Sequence, residues 1–388
     1  MLQPFRLFAQ GDVGENQFIM RITEGLRRPV RIAIDANDRV FVANSVTGAI
    51  SKFDSDGNFL GMFKAGTSPL ALAAAPQGGI YIADQVSGEL QLFDADGQLL
   101  KNIAGGFEKP ASAVVDDEGH LYVLDSKKSE VHKFDASGNF VFAFGDSGLV
   151  YPTALAFDSM NKRILVAEHG GLRILDRGKM IHAFDKNGKL TAQFGEYGYT
   201  IPRFTRIQGL TVDTKGRIYV VDTFQGTITV LDAQGGYIST FSEYGFEPGQ
   251  LRAPLDAAFD SRARLWITSM NNGSLEVYQT GAQPTDVSTT PAPVVPTGGE
   301  LLQNYPNPFN PGTQIPFVLD KASRVVIHIY NARGQLIRTF ELGMQKQGKS
   351  AIYWDGTVNG GKVAASGVYY YEIQTADFVD IRRMLLVK

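Results

Sequence analysis

Arg28-Pro-Val-Arg-Ile-Ala-Ile-Asp-Ala-Asn-Asp-Arg-Val-Phe-Val-Ala-Asn44, running on to Phe53-Asp-Ser-Asp-Gly57, is the stretch that decides the fold. It recurs. Lys109-Pro-Ala-Ser-Ala-Val-Val-Asp-Asp-Glu-Gly-His-Leu-Tyr-Val-Leu-Asp125 has the same pattern and continues to Phe134-Asp-Ala-Ser-Gly138. A unit this short cannot bury its own apolar face, so it must stack on copies of itself.

Six copies begin at Pro29, Pro69, Pro110, Pro152, near Gln208 and at Pro254. Within a unit, strand A is an almost continuous apolar run such as Val30 to Ile34, as in a strand walled in by neighbours. A polar turn follows, for example Asp116 to Gly119. Strand B is β-branched or aromatic (Val40-Phe-Val42, Leu121-Tyr-Val123). Strand C alternates (Ile50/Phe53, Val131/Phe134), and a Gly hairpin leads to strand D (Phe59 to Phe63). Several short strands repeating about every 40 residues are the mark of a β-propeller. The sixth unit ends with its strand C at Leu275-Glu-Val-Tyr278. Phe18-Ile-Met-Arg-Ile-Thr-Glu-Gly-Leu26 reads as an orphan strand D that completes it and closes the ring.

Two connections depart from the pattern. Arg173-Ile-Leu-Asp-Arg-Gly-Lys-Met-Ile-His182 reads as an insertion in the fourth unit. Tyr197 to Gln208 is a long link that carries Arg203 and Arg206.

Residues 281–299, rich in Pro and Thr, read as an extended linker. From Glu300 the chain is again globular. Strands are expected at Gln314 to Leu319, Arg324 to Tyr330, Gln335 to Glu341, Ser350 to Trp354, Val368 to Gln374 and Val379 to Val387. These make a small Ig-like β-sandwich over 300–388. The expected fold class is all-β, a six-bladed propeller over 1–280 followed by this sandwich.

Composition narrows the function. The net charge of −3 gives no case for nucleic acid as a partner. The absence of cysteine excludes disulfides, thiolate metal sites and cysteine nucleophiles. No apolar run reaches the length of a transmembrane helix. Met1 to Gln10 has no basic start followed by an apolar core, so no signal peptide is visible there.

The repeat resembles the NHL family, through the Pro before strand A, the Asp-x-x-Gly turn, Tyr81-Ile-Ala-Asp84 and the hairpin Phe93-Asp-Ala-Asp-Gly97. The resemblance covers about residues 18 to 280 and implies a platform for protein, nucleic-acid or glycan ligands, with a minority of enzymes. The last 85 or so residues resemble the C-terminal sorting domain of type IX secretion substrates, akin to the FlgD-like Ig sandwich. The matching residues are Asn304-Tyr-Pro-Asn-Pro-Phe-Asn-Pro311, Ile329-Tyr-Asn-Ala-Arg-Gly-Gln335, Trp354-Asp-Gly356, Ala365-Ser-Gly367-Val-Tyr-Tyr370 and the terminal Met384-Leu-Leu-Val-Lys388. Within the first of these, Asn304, Tyr305, Pro306, Asn307, Pro308 and Phe309 form the core of the motif. This resemblance implies export from a bacterium of the Bacteroidetes or a related phylum, with the secretion machinery as partner and a secreted or outer-membrane-surface location. A trimmed or mis-started N-terminus is expected in preference to a domain that is only a structural Ig module.

Strand direction places the candidate site. The D-to-A connections and B-to-C loops share one face, here the loop face, and the A-to-B and C-to-D hairpins share the other, the turn face. The B-to-C loops begin with Asn44, Asp84, Asp125, Glu168, Asp222 and Ser269. Four carboxylates around a ring opening could hold calcium or a polar substrate. Repetition at one position equally suits an Asp that caps its own loop, and this is the favoured reading, with no cofactor. Arg27, Arg28, Arg31, Lys109, Arg203, Arg206 and Arg252 are expected on the same face, where they suit an anion or partner patch, though solvated charge that offsets the acidic ring is the favoured reading. Of the histidines, His120, His132, His182 and His328 fall elsewhere. Only His169 lies at a B-to-C loop, and one imidazole is not a metal site. The ligand face is therefore expected at Arg28, Asn44, Asp84, Asp125, Glu168, His169, Arg203, Arg206, Asp222 and Arg252. The favoured function is non-enzymatic binding of a protein or glycan. The alternatives are a cation-dependent lactonase- or lyase-like hydrolase, and a surface-layer component.

Overall fold

The structure is a computed structural model. It describes residues 16–145, 148–169, 179–198, 201–280, 299–331, 335–375 and 379–387. No helix occurs among them. The chain divides into two compact units, Met1–Thr285 and Asp286–Lys388.

The first unit holds six four-stranded antiparallel sheets, each in the strand order A-B-C-D. The first is Pro29–Ile34, Val40–Asn44, Ala49–Phe53 and Phe59–Lys64. The next four begin at Pro69, Pro110, Pro152 and Ile207 and follow the same plan. The sixth takes Pro254–Phe259, Arg264–Ser269 and Ser274–Thr280 from one end of the unit and Asn16–Ile22 from the other. The orphan strand thus pairs as expected, antiparallel to Ser274–Thr280. Each strand A packs beside the next, and Pro254–Phe259 packs beside Pro29–Ile34. Strands B are buried along their length, apart from Arg163 at the start of the fourth, because both of their faces meet other sheets. Clusters of Val, Ile, Leu, Phe and Tyr fill the space between successive sheets.

Each of the six A–B pairs carries a bulge at the second residue of strand A. The skipped residues are Val30, Leu70, Ala111, Thr153, Gln208 and Leu255. A bulge takes a residue out of the ladder and frees its carbonyl for another partner.

The two departures from the repeat resolve differently. His182, assigned to the insertion, lies in strand Ile181–Asp185 and is buried. Residues 173–178 lie outside the described residues. The long link after the fourth sheet is not unique: Tyr197 bridges Phe204 as Tyr244 bridges Leu251 after the fifth. Both carry Glu-Tyr-Gly, and both close with an amide of the downstream apolar residue on the Glu carbonyl. The link is a repeated device rather than an exception.

In the second unit, Gly299–Leu301, Thr313–Leu319 and Gly348–Trp354 form one sheet. Leu336–Gln345, Ser323–Asn331, Gly367–Gln374 and Val379–Leu386 form the other. The core between them contains Phe309, Phe317, Ile327, Trp354, Tyr371 and Leu386. Strand Gly299–Leu301 begins inside the expected linker; the rest of that linker, 281–298, lies outside the described residues.

Candidate functional site

The six residues that open the B-to-C loops all act alike. Each side chain accepts the amide one residue before the turn into strand A. Arg27 N donates to Asn44 Oδ1 (2.6 Å), Thr67 N to Asp84 Oδ2 (2.7 Å) and Glu108 N to Asp125 Oδ2 (2.7 Å). Val150 N donates to Glu168 Oε1 (2.6 Å), Thr205 N to Asp222 Oδ2 (2.6 Å) and Arg252 N to Ser269 Oγ (3.0 Å). A second tie follows in every sheet. The amides of Ser45, Gln85, Ser126, His169, Thr223 and Met270 donate to the carbonyls of Arg28, Ser68, Lys109, Tyr151, Arg206 and Ala253.

The aspartates use their second oxygen on their own loop. Asp84 Oδ1 takes Val86 N and Ser87 N, and Asp125 Oδ1 takes Lys127 N and Lys128 N. Burial alone would push the Asp84 carboxyl up, but four backbone N–H donors hold it below the usual range. Asn44, Asp84, Asp125, Glu168 and Asp222 are all buried. The acidic ring is thus a set of loop staples, and among the described residues its oxygens do not gather at one point.

With the capping carboxylates turned inward, most of the exposed charge next to strand A is cationic, and the exposed carboxylate of Glu108 is paired with Lys127 at 2.6 Å. Arg28, Lys109 and Arg206 precede the first, third and fifth inner strands and are exposed. Arg27 and Arg203 are exposed as well. Val46, Val86 and Phe224 project from one position of three B-to-C loops, and Tyr151, Ile201 and Phe246 join them on the loop face. His169 is half-buried, and its ring stacks on Tyr151 at 5.6 Å and 20°. Arg252 is half-buried over the Phe246 ring, 3.8 Å from its centroid.

Arg31 is not part of that face. It is buried among the starts of the inner strands and donates to four of the carbonyls that the bulges set free. Nε bonds Leu70 O (3.1 Å), Nη1 bonds Gln208 O (2.8 Å) and Leu255 O (3.4 Å), and Nη2 bonds Thr153 O (2.9 Å). These carbonyls belong to the second, fifth, sixth and fourth sheets, so the strand starts surround one guanidinium. The third residues of the six inner strands are Arg31, Ala71, Ser112, Ala154, Gly209 and Asp256. Small residues make room for the arginine; a Cβ on Gly209 would come within 2.6 Å of Leu255 O.

Asp256 is the counter-charge. Its Oδ1 lies 3.8 Å from Arg31 Nη1, and its Oδ2 accepts Ile32 N at 3.2 Å. Burial pushes its carboxyl up to about 6, against the opposing pull of Arg31 and the amides of Ile32 and Ala257. Burial likewise draws the guanidinium of Arg31 below its ordinary range, and Asp256 opposes it. From this pair a cavity of ≈ 270 Å³ runs along the inner strands toward the turn face, walled by residues such as Ala113, Leu155, Ala156 and Val212.

The sequence gives a signal for the pair: opposite charges at the same position of two otherwise apolar strand-A runs. A second recurring position also escapes notice in the sequence. Ser51, Gln91, His132, His182, Thr229 and Glu276 share one register in strand C. Gln91 bonds Asn102, His182 bonds Gln193 and Thr229 bonds Thr240 on strand D.

Among the described residues, one group has metal-ligating composition: Asp116, Glu118 and His120 on the turn face. The ammonium of Lys186 already lies 2.9 Å from Glu118 and 3.6 Å from Asp116. The cluster is an ion-pair network between the third and fourth sheets.

In the second unit the Asn304–Pro311 motif is built into the sandwich. Asn304 Nδ2 bonds Thr313 Oγ1 (2.9 Å), and Tyr371 Oη accepts Asn304 N (2.8 Å) and donates to Leu302 O (2.9 Å). Asn307 Oδ1 accepts Leu385 N, and Phe309 exchanges backbone bonds with Leu385 and Val387. Trp354 is fully buried, while Tyr305 is exposed. Gly356 has φ 76°, and a Cβ there would lie 2.4 Å from Pro311 O. Lys388 lies outside the described residues.

A family model for the FlgD Ig-like domain matches residues 310–377. No curated protein matches the chain. The chain is similar in fold to propeller-like solved structures. Virginiamycin B lyase from Staphylococcus aureus has a TM-score of 0.51 at 14% identity, over 69% of this chain and 100% of that one. The gluconolactonase XC5397 from Xanthomonas campestris has a TM-score of 0.52 at 17% identity, over 70% and 96%. A protein of unknown function from Bacteroides thetaiotaomicron VPI-5482 has a TM-score of 0.54 at 16% identity, over 66% and 70%. The first unit is propeller-like and the second Ig-like.

Proposed function

We propose that this chain is an exported binding protein. In this reading the six sheets are the blades of one NHL-type ring, closed by Asn16–Ile22. The loop face takes an acidic protein or glycan, and the sandwich is a type IX secretion sorting domain. The observation that carries the binding role is the fate of the six staples. Every capping side chain is spent on backbone amides, whereas Arg28, Lys109 and Arg206 stay exposed among apolar side chains. Exposed apolar groups rimmed by cations suit an acidic partner rather than a metal ion. The sorting role is supported by the Ig-like match and by the motif residues of the second unit.

The hydrolase or lyase alternative draws on the fold likeness, and one feature favours it: Asp256, a carboxyl that burial pushes up to about 6, stands at the head of a cavity. Its site would then be that cavity and not the loop face.

Cell fractionation with mass spectrometry of the mature C-terminus tests export. An intact sandwich on a cytoplasmic protein refutes it. Binding is tested by reversing the charge at Arg28, Lys109 and Arg206 together and measuring retention on acidic glycans and acidic peptides. Equal retention of the wild-type and reversed chains removes the loop face as the site.

A further inference from the structure

We propose that the cavity inside the inner strands binds a small primary amine with an apolar body, held as its ammonium by Asp256. The site is independent of the loop-face reading, because it opens on the opposite side of the sheets.

Access follows from the lining. The walls run from Arg31 and Asp256, at the third position of the inner strands, to Ile34, Ala74, Val115, Phe157 and Val212 at or near the ends that lead into the turns. Arg31, bonded to carbonyls of four sheets, lies across the loop-face end. Ile34, Val115, Phe157 and Val212 are half-buried. The way in is from the turn face.

Ligand chemistry follows from what the walls leave unsatisfied. Most lining side chains are Ala, Val, Leu, Ile or Phe, the polar side chains are Arg31, Ser112, Thr211 and Asp256, and the wall as a whole is polar as well as apolar. Ser112 Oγ already accepts Leu155 N at 3.0 Å. Four of the five N–H donors of Arg31 are directed to the four carbonyls. Asp256 has the amide of Ile32 on Oδ2 and that of Ala257 nearby, but its counter-charge, Arg31, stands 3.8 Å from Oδ1, beyond hydrogen-bond distance. A recessed carboxylate without a cation in hydrogen-bond contact is costly, and an ammonium group supplies a charged donor at close range. An anionic ligand would meet the carboxylate head-on, since the guanidinium behind it is engaged.

Size sets the body. A dry cavity of about 150 Å³ accepts benzene. The ≈ 270 Å³ here takes one aromatic ring or short alkyl chain together with its ammonium group.

The test uses the full chain and isothermal titration with 2-phenylethylamine, 2-phenylethanol and 3-phenylpropanoate. The amine binds, and the carboxylate probe binds at least tenfold more weakly. Asp256→Asn weakens the amine at least tenfold and the alcohol little. Ala113→Phe, which fills the wall, abolishes binding of both. Should Asp256→Asn fail to fold, the wild-type chain still decides: amine affinity rises between pH 5 and pH 7.5 as Asp256 ionises, while the alcohol's does not. No binding of the amine, equal affinity for amine and carboxylate probes, or an amine affinity independent of both pH and Asp256 overturns the proposal.

Discussion

Arg21 Nε lies 2.6 Å from Glu276 Oε1, and the two residues are 255 positions apart. Arg21 stands on the strand from the N-terminal end of the first unit and Glu276 on strand C of the sixth sheet. The same guanidinium donates to Phe246 O (2.6 Å) and Glu247 O (2.8 Å) in the link that precedes that sheet. Glu276 is fully buried and also accepts Ser274 Oγ and Gly249 N. At other borders a cation reaches a C-to-D hairpin carbonyl of the neighbouring sheet: Lys52 to Ala95, Lys101 to Ser137, Lys133 to Lys186, Arg163 to Ala233 and Arg264 to Ser55. The sixth sheet has no such hairpin, because its fourth strand arrives from elsewhere in the chain. Arg21 supplies the tie there.

Replacing Arg21 with Met should therefore cost about 3 kcal/mol, since it leaves a buried carboxylate without its cation. Urea denaturation followed at Trp266, the one tryptophan of the first unit, measures this in a Trp354→Phe background. Amides of 16–22 should exchange faster in the variant than in the parent. A loss below about 1 kcal/mol, in the range of an exposed pair, would mean that the strand is held by its ladder alone.

Arg31 should be less replaceable still. Arg31→Ala strands four carbonyls and Asp256 at once, with an expected loss of about 3–5 kcal/mol. Arg31→Lys should recover little of it, because one ammonium cannot match the fork that reaches four strands. Near-wild-type stability of the Lys variant would show that charge, and not the fan of bonds, is what the strand starts require.

The staple reading predicts the response to calcium. Asp125→Ala should cost about 2 kcal/mol by removing the acceptor for four amides. Millimolar calcium should leave the Tm of the wild-type chain unchanged. A calcium-dependent rise in Tm that Asp125→Asn abolishes would restore the cation site and the enzyme reading with it.

Much of the fold is legible in the sequence because repetition averages out local ambiguity. Six copies of an apolar run, a polar turn and a β-branched run leave little choice of register, and the unpaired Phe18–Leu26 stretch had one place to go. The site is less legible. Asp84, Asp125 and Asp222 look like ligands because carboxylates at one position form a ring, yet they also bind amides of a connection 16 or 17 residues upstream. Arg31 looks like one more surface cation. Its place inside the sheets depends on bulges that expose Leu70, Thr153, Gln208 and Leu255 carbonyls, and a bulge leaves no residue-type signature in these runs. Arg21 and Glu276 carry ordinary surface charges in the sequence and become partners only when distant strands pair.

Asp256 supplies a test of the cavity's electrostatics that needs no ligand. Its folded-state carboxyl is raised to about 6, so the native state holds the proton more tightly than the unfolded chain does. The contribution of Asp256 is therefore fully present below the ordinary carboxylate range and is lost as pH rises through about 6. Asp256→Asn does not titrate, and other groups, being distant, cancel in the comparison of the two chains. The stability of the wild-type chain relative to the variant should fall by about 2–3 kcal/mol between pH 4 and pH 7. Denaturation curves of both chains across that range measure it. A difference that stays flat would mean the carboxyl is solvated. One that runs the other way would mean that Arg31 outweighs burial and that the carboxylate at the head of the cavity is already satisfied.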